Sequence, residues 1–97
     1  MASLWERVRA LEGQTLQTVR DRVPFEIVSI DDSKIKVLIS SGKTYSIYRR
    51  ELDKAEALGL VTADVRPSQL RKAGASKGTP AYAAPIIRAV VGQETLA

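Results

Sequence analysis

Residues 25–48, FEIVSIDDSKIKVLISSGKTYSIY, decide the fold. Within them the runs 25–30, 34–39 and 44–48 are rich in β-branched and aromatic residues, the composition of a pleated, half-buried surface. Ile35, Val37 and Ile39 share one face opposite Lys36, Leu38 and Ser40, and Tyr45 and Ile47 oppose Thr44, Ser46 and Tyr48. Asp31-Asp32-Ser33 and Ser40-Ser41-Gly42-Lys43 separate the runs with residues that tolerate turn geometry. Short turns between alternating strands predict an antiparallel meander with one face buried and one wet. Residues 15–20 add a weaker strand at its start. Pro24 stands just ahead of the second run, where its missing amide costs little.

On either side the period lengthens to that of a helix. Ser3-Leu4-Trp5-Glu6 has capping-box spacing, Leu4, Val8 and Leu11 recur at helical intervals, and Gly13 offers a left-handed stop. A short helix over 4–12 is predicted, with Trp5 as a core anchor. After the meander, Leu52, Ala55 and Leu58 form a narrow stripe that Gly59 ends. Pro67 suits a first helical position and Gly74 a stop, giving a short helix around Leu70. Thr79-Pro80 opens a last helix in which Ala83, Ile86, Ile87, Val90 and Val91 make a broad apolar face. Pro85 removes an intrahelical bond there, so this helix either kinks or starts at Pro85. Residues 93–97 read as a frayed end. The expected fold class is α+β: an N-terminal helix, a three- to four-stranded antiparallel β-meander, and a C-terminal helical hairpin packed on the sheet. Ninety-seven residues suffice for one small domain.

The net charge of +4 sits entirely beyond Asp64. Up to that residue ten Lys and Arg face ten Asp and Glu; from Val65 onward Arg66, Arg71, Lys72, Lys77 and Arg88 face only Glu94. The chain thus divides into a neutral body over 4–64 and a basic hairpin over 65–92. A neutral body with a basic end points to an anionic partner, most simply a phosphate backbone. The chain has neither Cys nor His. Disulfides, thiolate metal sites and cysteine nucleophiles are excluded, and the commonest general base and metal ligand are missing. No catalytic group, metal or cofactor is expected. No stretch approaches about 18 apolar residues and the opening has no signal-peptide core, so no membrane partner is expected and the cytoplasm is the expected compartment.

Several segments carry candidate chemistry. Gly42-Lys43-Thr44 has the end of a phosphate-binding loop, but Val37 stands where the first glycine belongs and a strand follows instead of a helix. The segment 74–79 is flexible, basic and precedes a helix whose amides can hold an anion. Residues 70–76 resemble the middle of a helix-turn-helix. Gln69 then stands where an apolar residue is needed and Pro80 falls inside the recognition helix, so a plain helical hairpin is the expectation. Tyr48-Arg49-Arg50 closes the meander with an aromatic ring and two guanidinium groups near a helix N-terminus, the end where positive charge is unfavourable. Such a corner can clamp a phosphate and stack on a base, unless Glu51 and Asp53 neutralise it. Arg20 and Arg22 flank Asp21 in what reads as a solvated turn. Asp31-Asp32 reads as a turn former, since a magnesium site takes carboxylates from separate elements.

These readings converge on a small non-enzymatic nucleic-acid-binding protein, with duplex DNA ahead of RNA. The expected phosphate contacts are Tyr48, Arg49, Arg50, Arg66, Arg71, Lys72, Lys77 and Arg88. The alternative is an interaction module or assembly subunit. In either case Ile86, Ile87, Val90 and Val91 offer an oligomer interface, and a homodimer is the expected assembly.

Overall fold

The computed structural model describes residues 4–19, 21–75 and 79–96. Helix α1 (Leu4–Arg9) leads into strands β1 (Thr15–Gln17), β2 (Pro24–Ile30), β3 (Lys34–Ile39) and β4 (Thr44–Tyr48), followed by helices α2 (Arg49–Ala57), α3 (Pro67–Lys72) and α4 (Pro80–Leu96). The strands form one antiparallel sheet in the order β1-β2-β3-β4, an α+β meander. Alternation works as the side chains demand. Phe25, Ile27, Ile35, Val37 and Ile47 are buried on the inner face, and Glu26 and Lys36 are exposed on the outer one.

Strand β2 breaks that alternation once. Ile27 pairs with Val37 and Ser29 with Lys36, so Val28 is an extra residue with no partner across the ladder. Were Val28 paired in regular register, strict alternation from Ile27 would turn Ser29 into the core and Ile30 out. Because Val28 bulges out of the ladder, Ile30 pairs with Ile35 and is buried. Strand β1 is shorter than its composition suggests. Thr18 folds the chain back: its amide donates to the Val23 carbonyl at 3.0 Å, while its hydroxyl accepts the Val23 amide at 2.9 Å. Beyond β1, the residues after α1 cover the open edge of β2. Gly13 donates to the Ile27 carbonyl at 2.7 Å, and the Glu12 carboxylate accepts the Ile30 amide at 2.7 Å.

Both short helices after the sheet end where glycine permits. Gly59, at φ +73°, donates to the Glu56 carbonyl, and Leu60 donates to that of Ala55. Gly74, at φ +74°, donates to Arg71, and Ala75 to Leu70. Each pair of bonds satisfies carbonyls that the helix end would leave open. Leu58, expected in the apolar stripe of α2, sits past the helix end and is half exposed.

Helix α4 starts at Pro80, reaches Leu96 and takes Pro85 into its interior. The carbonyl that loses its partner to Pro85 belongs to Ala81, an exposed residue that water can serve. Ala83, Ala84, Pro85, Ile86 and Ile87 are all buried. A helix buried all round must be enclosed by neighbours, and α4 lies against α1, α3 and β1. Its Tyr82 meets Phe25 edge-on at 5.2 Å and stacks on Tyr45 at 5.3 Å, which anchors it to the sheet. One core joins α1, the sheet, α2, α3 and α4. Ile86, Ile87 and Val90 have 0% exposure within the single chain, and Val91 is half-buried. The aliphatic face expected at an oligomer interface is therefore spent inside the fold.

Candidate nucleic-acid interface

The corner between β4 and α2 divides its two arginines. Arg49 is held by the body of the protein. Its amide donates to the Ser33 carbonyl at 2.8 Å, its guanidinium lies 5.6 Å from the centre of the Trp5 ring, and its Nε is 3.8 Å from Asp53. Arg49, expected to contact phosphate, is exposed but shares its charge with the i, i+4 carboxylate and the indole face, so it is a weaker candidate than Arg50. The turn it rests on is itself well ordered by hydrogen bonds. Asp31 accepts from the Ser33 amide at 2.7 Å, the Ser33 hydroxyl at 2.9 Å and the Lys34 amide at 2.9 Å. The Ser33 amide bond, with the Ser33 hydroxyl and Lys34 amide adding to it, holds the Asp31 carboxyl below the usual carboxylate range. Asp32 pairs with Arg9 at 3.2 Å.

Arg50 is different. It is exposed and lies 5.1 Å over the centre of the Tyr48 ring, and Tyr48 is itself 43% exposed. Glu51 turns away to cap: its carboxylate accepts the Tyr48 amide at 2.7 Å and the Thr79 hydroxyl at 3.5 Å. One helical turn after Arg50 comes Lys54, whose amine approaches Gly74 so closely that a Cβ there would meet it at 3.3 Å. Tyr48, Arg50, Glu51, Lys54, Gly74 and Thr79 line a cleft of about 430 Å³. Lys54 was not among the expected contacts. Its signal is legible in sequence, because two cations at i, i+4 on one helix repel, a cost that suggests a shared task.

The second basic surface belongs to α3. Arg66, Arg71 and Lys72 are exposed and, with Pro67, Ser68 and Val19, line a cleft of about 650 Å³. Arg71 and Lys72 border this cleft, and Gly74, two residues on, borders the first. None of Arg50, Lys54, Arg66, Arg71 and Lys72 has an ion-pair partner among the described residues. Lys77, also expected as a contact, lies outside the described residues.

Arg88 is likewise held by the body of the protein. Its Nε donates to the Val65 carbonyl at 2.7 Å and its Nη2 to the Asp64 carbonyl at 3.2 Å. Val65 is fully buried, so this arginine serves a carbonyl that water cannot reach. It clips the middle of α4 to the entry of α3, and the two helices are in contact. Its charge still adds to the local field, while two of its five N–H donors are turned to the backbone.

Among the described residues no three metal-ligating side chains come together, and no helix is long and apolar enough to cross a membrane. Comparison of the chain with protein-family models, with curated proteins and with solved structures returns no match.

Proposed function

We propose that this protein is a small non-enzymatic nucleic-acid-binding module that grips the phosphate backbone of duplex DNA. The observation that supports this reading is the set of five exposed cations, Arg50, Lys54, Arg66, Arg71 and Lys72, without ion-pair partners among the described residues and lining two clefts. Exposed cations on a surface that folding does not need are the electrostatic footprint of a polyanion partner. Tyr48, with Arg50 over its ring, adds a flat group at the rim of the smaller cleft. Ile86, Ile87 and Val90 are buried within the single chain, which supports this reading over that of an assembly subunit.

Binding of a labelled random duplex, followed by fluorescence anisotropy between about 50 and 200 mM salt, tests the proposal. Four phosphate contacts give a slope of log K against log salt of about −3.6. Lys72→Glu together with Arg71→Ala lowers the affinity and flattens the slope while leaving the melting temperature unchanged. Absence of binding at low salt, or an affinity indifferent to salt, refutes the proposal.

A further inference from the structure

The turn between β1 and β2 contains the one non-glycine residue with positive φ among the described residues: Arg22, at +54°. Glycine or asparagine would occupy that conformation at less cost, and arginine gains nothing there from its backbone. The turn demands the conformation. Arg22 donates its amide to the Thr18 carbonyl at 3.1 Å, and the next residue returns to the Thr18 hydroxyl. What the side chain does there is a separate question. It is exposed, and although Asp21 precedes it, it forms no ion pair among the described residues.

Its surroundings answer the question. Arg22 lines a third cleft, of about 420 Å³, with Thr18, Val19, Pro85, Arg88 and Ala89. Val19 is also a wall of the α3 cleft that holds Arg66, Arg71 and Lys72. Val19 therefore stands between Arg22 on one side and the three cations of α3 on the other. Arg88 contributes its positive charge to the Arg22 side although two of its donors are engaged. Asp21 and Asp64 are the acids nearest in sequence to Arg22 and to the α3 cations, and both are exposed.

We infer that Arg22 is a second arm of the nucleic-acid interface, contacting the DNA backbone beyond the α3 cleft. The arginine occupies a strained position for binding and at the expense of the fold. The inference rests on the proposed function and adds to it a residue from the electrically neutral body of the chain. It separates from a purely structural role, because the two roles predict opposite pairings of stability and affinity.

Arg22→Gly is the test, with Arg22→Asn as a second variant that also tolerates positive φ. Both are expected to melt at or above the wild-type temperature and to bind random duplex several-fold more weakly. Each should flatten the salt slope by about 0.9, the share of one phosphate. Wild-type affinity in both variants, with affinity lost in Arg71→Ala, overturns the role of Arg22 and leaves the proposed function standing. A wild-type chain that binds no duplex overturns both.

Discussion

Replacing Arg88 by Met keeps the stem of the side chain and removes only the guanidinium. The lost bond to Val65 is charge-assisted, 2.7 Å long and directed at a fully buried residue. Such a bond is worth about 1.5–3 kcal/mol. The bond to Asp64 is longer, at 3.2 Å, and exposed, and adds about 0.5 kcal/mol or less. The total loss is about 2–3 kcal/mol, which for a domain of this size lowers the melting temperature by about 10–20 °C. Thermal melts followed by circular dichroism, with urea titrations at one temperature, read this directly. Arg88→Lys should recover only part of the loss, because an ammonium cannot fork between two carbonyls. A melting temperature for Arg88→Met within about 3 °C of wild type would refute the reasoning and free Arg88 for a surface role. Below its melting range the Met variant should lose less DNA affinity than Lys72→Glu, since the guanidinium it removes is turned towards Val65 and Asp64.

Two further outcomes follow from the sheet and its turns. Val37→Ala should cost about 1–3 kcal/mol by urea denaturation and Lys36→Ala less than about 0.5; equal costs would mean that β3 is shifted by one residue. Asp31 titrates lower in the folded chain than in the unfolded one, so its contribution is present above the usual value of 3.8 and is lost as pH falls through the folded value. Acid titration of Asp31→Ala should accordingly show lower stability at neutral pH and a shallower loss on acidification, and an unchanged acid limb would refute the assignment.

The bounds of β3 and β4 are legible in the sequence to the residue, because both strands alternate strictly and end in turn-forming residues. The stops at Gly59 and Gly74 are equally legible, since few other residues take the positive φ that those ends need. The length of β1 was not. Its turn is built on Thr18 and on an arginine at positive φ, and neither residue announces a turn. The bulge had a trace, for Ile27 and Ile30 are both buried although three residues apart, a parity no regular strand allows. Helix α4 misled for a physical reason. With apolar residues on nearly every side, its pattern says that it is enclosed but not by what, and enclosure within one chain reads the same as enclosure by a second. In the candidate interface, Arg66, Arg71 and Lys72 were visible as charges in excess. Arg49 and Arg88 were not visible as internal fasteners, because their partners Trp5 and Val65 lie 44 and 23 residues away. Local charge counting cannot see partners at such distances.

The bulge at Val28 also bears on how the length of this chain can change. Remove Val28 on paper, and Phe25, Glu26, Ile27, Ser29 and Ile30 fall into regular alternation with the same inward set. The hydrophobic pattern of β2 is thus indifferent to whether that residue is present, and the extra residue alters mainly the local twist. Insertions and deletions are ordinarily confined to loops, where no register is at stake. Here the middle of a paired strand holds a position at which one codon can be gained or lost without turning a polar side chain into the core.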